Sequence, residues 1–148
     1  MGFFEALGSN RILVCAAASW AVAQVIKVIL SVLIHHKFDW RRAFGMGGMP
    51  SSHTALVVAL MVMTGVVEGV QSTAFALAFA LAGVVIYDAL GVRAETGKQG
   101  AALNRILREV LIEGQPITEE RFKELVGHTP LEVAGGVIVA VIVVLCMA

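Results

Sequence analysis

Residues 54–90 read TALVVALMVMTGVVEGVQSTAFALAFALAGVVIYDAL. Two apolar runs, from about Thr54 to Val70 and from about Thr73 to Leu90, are parted only by the short polar segment Glu68-Gly69-Val70-Gln71-Ser72. Each run approaches the roughly 20 residues that a helix needs to cross a bilayer. So short a break predicts a helical hairpin with a tight turn. The runs are rich in Ala, Leu and Met and lack period-two alternation, which excludes the strands of a membrane barrel. Outward from this hairpin, two further runs of the same kind extend from about Ile12 to Ile34 and from about Leu131 to Ala148. The expected fold is therefore all-α: an integral membrane helical bundle with about four transmembrane helices, forming a single membrane domain over 1–148. Composition agrees, since 58% of the 148 residues are hydrophobic and only 15% charged, with a mean hydropathy of +0.85. The first residues carry no basic leader and no small-residue cleavage site follows, so the first run reads as a retained span.

A formal net charge of zero gives no sign of a nucleic-acid or other polyanionic partner. Cys15 and Cys146 lie in apolar runs, with neither disulfide nor metal-ligand spacing. Chemistry must then come from the two polar connections, 35–53 and 91–130. In the second, Leu103, Ile106, Leu107, Val110 and Leu111 recur at helical spacing, with Lys98, Asn104, Arg105, Arg108 and Glu109 on the remaining face, which predicts an interfacial helix. A short second helix is expected between Pro116 and Gly127.

Four crossings bring both polar connections to one membrane face. Lys27, Arg41, Arg42, Ser51, Ser52, His53, Asp88, Arg93, Arg121, Lys123 and His128 converge there, and little beyond Glu5, Arg11 and Glu68 is left for the other side. Ten of the eleven Lys and Arg residues fall in or near the convergent face, so the positive-inside rule assigns it to the cytoplasm.

Gly45-Met46-Gly47-Gly48-Met49-Pro50-Ser51-Ser52-His53 opens directly into the second span. A glycine-rich loop can pass close to a ligand, and the helix start behind it offers unsatisfied N–H groups and a positive dipole end. Two hydroxyls and an imidazole add donors and a proton-exchanging group. The same residues also suit a plain N-cap with a histidine at headgroup level. Gly127-His128-Thr129-Pro130-Leu131-Glu132 has the same form, with Thr129 as cap and Pro130 in the first helical position. Glu132 lies four residues after His128, a spacing at which a carboxylate can orient an imidazole for attack on phosphorus. A chance pairing at an ordinary helix start fits that spacing as well. Lys27 sits near the inner end of the first span, as a ligand for an anion or as a snorkelling cation. Arg41, Arg42, Arg121 and Lys123 flank the two motifs and suit either a phosphate or lipid headgroups. Asp88 reads as the partner of Arg93 or Lys27, or as a ligand to a divalent cation, with the structural pair preferred.

Taken together, Gly47-Gly48-Met49-Pro50-Ser51-Ser52-His53, Asp88-Ala89-Leu90-Gly91-Val92-Arg93, Gly97-Lys98-Gln99 with Leu103-Asn104, and Gly127-His128-Thr129-Pro130-Leu131-Glu132-Val133 resemble the divergent branch of the type 2 phosphatidic acid phosphatase superfamily. That superfamily also contains acid phosphatases and vanadium-dependent haloperoxidases. The resemblance implies hydrolysis of lipid phosphate monoesters or isoprenyl diphosphates through a phosphohistidine, without metal or other cofactor. By its motifs His128 is the nucleophile, Glu132 orients it and His53 is the acid. Ser51 matches the phosphate-binding serine, with Ser52 beside it. Arg121 or Lys123 would substitute for the missing phosphate-binding arginine, and Lys27 with Arg41 or Arg42 for the missing first motif. These are the residues expected to hold phosphate, with Asp88 and Arg93 expected to support the site. This chain departs from the superfamily pattern in several places. Ser52 replaces a glycine and Glu132 an aspartate, Phe122 stands where an arginine is usual, and the first motif is absent as written. A catalytically inactive membrane binding or scaffold protein on the same fold is therefore the alternative, and a vanadate-dependent oxidative enzyme a more distant one. The implied partners are a lipid phosphate entering from the bilayer and, for so small a bundle, a homodimer that completes the core.

Overall fold

The structure is a computed structural model that describes residues 2–35, 48–92, 96–97, 99–104 and 129–148. It is helical, with no strand among the described residues. Helix α1 (Phe3–Ser9) and α2 (Arg11–His35) are followed by α3 (Ser52–Glu68), α4 (Thr73–Tyr87), a π-helical turn over Asp88–Val92, and α5 (Pro130–Met147). The predicted interfacial helix is described only in part, as a helical stretch over 99–104. Its remainder, and the short helix expected between Pro116 and Gly127, lie outside the described residues.

Local chemistry explains where the helices begin and end. Asn10 closes α1 with its N–H on the Leu7 carbonyl and opens α2 by accepting from the Leu13 N–H at 3.1 Å. The short α1 exposes Phe3 and Phe4 and had no clear signal in the sequence, being only seven residues long. Gly69 ends α3 with φ +84°, a left-handed conformation that a Cβ would strain. Ser72 then accepts from the Phe75 N–H at 3.1 Å and starts α4. Glu68 to Ser72 is thus the tight turn of a helical hairpin.

Three stretches, Arg11–Ile34, Thr73–Gly91 and Pro130–Met147, are long and apolar enough to cross a membrane, and the apolar α3 is slightly shorter at 17 residues. At a helical rise of 1.5 Å per residue α3 reaches about 25 Å, less than the roughly 30 Å hydrocarbon layer. Its polar start therefore lies close to the edge of the hydrocarbon layer, where loose backbone is tolerated only if protein satisfies it.

Helix α3 is the centre of the bundle, packed against α2, α4 and α5, while α2 also meets α5. In lipid there is little hydrophobic drive between helices, so close packing depends on small side chains. Small residues line the contact at four-residue spacing: Cys15, Ser19 and Ala23 on α2, Ala55 and Ala59 on α3, and Gly136 and Ala140 on α5. Met63 and Val144 close the core toward the far end. By contrast α4 buries only Ala78 and Ala82 and exposes Leu77, Phe79, Leu81 and Val84, the surface expected to meet lipid. At that far end Arg11 donates to the Met147 and Ala148 carbonyls at 3.0 and 2.8 Å. A cation there complements the negative end of the α5 dipole.

The closest approach lies at the opposite end. A Cβ on Gly136 would stand 2.5 Å from the Ser51 carbonyl oxygen and 2.8 Å from the Thr54 Cβ, so only glycine lets α5 meet the start of α3. Gly136→Ala should lower stability by about 1–3 kcal/mol, as overpacking does. Gly83→Ala, where a Cβ meets nothing within 4 Å, should be neutral or slightly stabilising through helix propensity. Thermal unfolding of both variants in one detergent checks the pair, and equal midpoints would contradict the packing.

Candidate functional site

Ser51 caps α3. Its Oγ accepts from the Thr54 N–H at 3.3 Å and from the Thr54 hydroxyl at 2.9 Å. Ser51, Ser52 and Thr54 are all buried, while His53 is exposed on the same first turn. Thr54 thus joins the cap beside the Ser51, Ser52 and His53 that the sequence marks, and a hydroxyl three residues after a capping serine is its local signal. The approach to the cap passes through a cis Met49-Pro50 peptide and Gly48, whose φ is +93°.

Thr129 caps α5 in the same manner. Its Oγ1 accepts from the Glu132 N–H at 3.3 Å, and the Glu132 Oε2 accepts from the Thr129 N–H at 2.8 Å, forming a capping box with Pro130 in the first turn. The two helix starts then join. The Ser51 N–H donates to the Glu132 carbonyl at 2.9 Å, and the Gly48 N–H donates to the Glu132 Oε1 at 3.2 Å. Glu132 therefore ties the glycine-rich loop to α5 through both its backbone and its side chain, a role that its spacing from His128 did not reveal.

Lys27 completes the cluster. It continues the buried Cys15, Ser19, Ala23 row by another four residues, so helical geometry turns it inward rather than toward lipid. Only 6% of it is exposed. Its stem packs along the loop backbone, since a Cβ on Gly48 would lie 3.5 Å from the Lys27 Cγ. Glu132 acts on its ammonium electrostatically, and no hydrogen bond or ion pair joins that ammonium to another described residue.

These contacts set the local charge. Two parallel helix starts lie side by side, each equivalent to about half a positive charge, and α3 has no acid in its own first turn. Counting only the described residues of this cluster, Lys27 and Glu132 together with the two helix starts leave roughly one positive charge over. Such a place attracts an anion.

Of the residues singled out by the sequence, the structure brings Lys27, Ser51, Ser52 and Glu132 together at the start of α3, with His53 on the same turn. Asp88 begins the π-helical turn that packs against α5, an irregularity common near functional sites. Arg41, Arg42, Arg93, Arg121, Lys123 and His128 lie outside the described residues. Among the described residues no three His, Cys, Asp or Glu side chains gather as metal ligands.

If Lys27 and Glu132 compensate each other, Lys27→Met and Glu132→Gln should each lower stability, and the double variant should lose less than their sum. A coupling of about 0.5–3 kcal/mol is expected for neighbours of this kind. A double-mutant cycle on unfolding midpoints measures it, and strict additivity would separate the two residues.

Comparison with known proteins agrees with the resemblance read from the motifs. The chain is 31% identical over 150 residues to the uncharacterized membrane protein YuiD of Bacillus subtilis (strain 168), covering 95% of each chain. No solved structure matches. The sequence model of the Divergent PAP2 family matches residues 8–143, which include every described residue of the site. With its helical membrane bundle, its paired helix starts and this match along nearly all its length, the chain belongs to the Divergent PAP2 family.

Proposed function

We propose that this protein is a membrane phosphatase that hydrolyses lipid phosphate monoesters or isoprenyl diphosphates through a phosphohistidine. The observation that carries this reading is the meeting of two helix N-termini, opened by Ser51 and Thr129, with the buried Lys27 lying along Gly48 of the loop that leads into the first. Phosphoryl transfer depends chiefly on positioning and on charge held ready for the phosphoryl oxygens, which is what such an arrangement offers. In this mechanism His128 attacks phosphorus as the bond to the lipid alkoxide breaks, and His53 gives that alkoxide a proton. Water then attacks the phosphohistidine with His53 as base, releasing phosphate and free His128. Glu132 supports His128 by holding the N–H of the next residue, Thr129. Ser51, Ser52, Arg41, Arg42, Arg121 and Lys123 contribute to binding phosphate, and Asp88 with Arg93 supports the site. No metal takes part. The site faces the cytoplasm by the distribution of Lys and Arg, and a lipid substrate reaches it from the bilayer.

One observation favours a second reading, a non-catalytic binding protein on the same fold. The Ser51 hydroxyl is buried and already accepts two hydrogen bonds.

Both readings are separated by incubating the purified protein in detergent with a panel of lipid phosphates and measuring released phosphate. Release is expected from at least one of them. His128→Ala should abolish it, and His53→Ala should reduce it by about 10²–10⁴-fold, the usual worth of general acid–base catalysis. A chelator should leave the rate unchanged. Binding without release, or release indifferent to His128→Ala, would favour the binding protein.

A further inference from the structure

We infer that the Glu132 carboxylate is an internal stand-in for phosphate: between ligands it occupies the Gly48 N–H and compensates Lys27, and an incoming phosphoryl group must displace it. This rests on the reading of the cluster as a phosphate site.

The geometry separates the two carboxylate oxygens. Oε2 is held at 2.8 Å by the Thr129 N–H inside the α5 capping box, whereas Oε1 meets the Gly48 N–H at 3.2 Å, the long end of a normal hydrogen bond. One oxygen is anchored and the other is lent. A phosphate oxygen taking the Gly48 N–H would leave the anchored contact, and so the start of α5, in place. Lys27 points the same way. It is 94% buried, as 6% exposure leaves it, and has no hydrogen bond or ion pair to another described residue. Glu132 acts on it only electrostatically and not as an ion pair, which leaves this buried ammonium placed to meet an incoming anion.

This arrangement has a use in a hydrolase. Inorganic phosphate is both the product and an abundant solute, and a resident carboxylate that retakes Gly48 helps to expel it. The sign of one substitution follows. Were Glu132 only a structural tie, Glu132→Gln would loosen the loop and weaken phosphate binding or leave it unchanged. As a competitor of like charge, its neutralisation strengthens binding, while Gln preserves the capping pattern at this position.

The experiment is calorimetric titration of the full-length protein in detergent with inorganic phosphate and, separately, with a short-chain lipid phosphate monoester. Glu132→Gln should bind inorganic phosphate about tenfold or more tighter than the wild type, a change near one decade in Kd, and Lys27→Met should bind it more weakly. Tightening for the lipid alone would place the competition at the headgroup stage, and tightening for both would place it at product release as well. Unchanged or weaker binding of both by Glu132→Gln overturns the inference. Should that variant not fold, the wild type still decides: the Gly48 amide, followed by ¹⁵N-glycine labelling, must shift during the phosphate titration, and an unmoved amide overturns the inference. Binding that tightens in a protein without turnover would sink the phosphatase reading and keep this one. Turnover with weakened binding in Glu132→Gln would do the reverse.

Discussion

The start of α3 rests on the first turns of α5, and the rest of the molecule is arranged around that contact. Gly136 brings the α5 backbone against the Ser51 carbonyl, and the Ser51 N–H reaches the Glu132 carbonyl. Two helices that run parallel set their positive ends together, which is unfavourable without an anion nearby. Glu132 supplies one from α5 to a helix that has none of its own. Because α3 is central, this contact also sets where α2 and α4 sit.

Lys27 illustrates how packing and charge are joined. Its position in the small-residue row of α2 is dictated by the four-residue period, yet that row faces the most closely packed part of the bundle. Ionisable groups within a membrane are costly, and they persist where they line a polar cavity or meet a partner. Here the stem lies along Gly48, where a Cβ would make only ordinary contact with it, and it is the positive φ of Gly48 that the loop requires.

Membership of the Divergent PAP2 family accounts for the fold and for the company that these residues keep, while fold alone does not establish a reaction. The substitutions within the motifs fall at informative places. A glutamate in place of the superfamily's aspartate is one methylene longer, and here that side chain spans from the α5 cap to the Gly48 N–H. Ser52, where a glycine is usual, is fully covered in the first turn of α3.

Much of this protein was legible in its residues. Hydropathy marked the apolar helices, glycine and serine marked the hairpin turn after Glu68, and Thr129-Pro130 marked the start of α5, because each is a property of a short segment and needs no distant partner. The parity of the spans likewise brought Lys27, Ser51 and Glu132 to one face. Only the tertiary structure decided that Glu132 holds Gly48, that Ser51 is committed to Thr54 and to the α5 backbone, and that Lys27 is buried beside the loop rather than snorkelling. Those choices depend on how closely two helices approach, and that distance is set by the absence of a single Cβ at Gly136, which becomes decisive only when the facing backbone is in place.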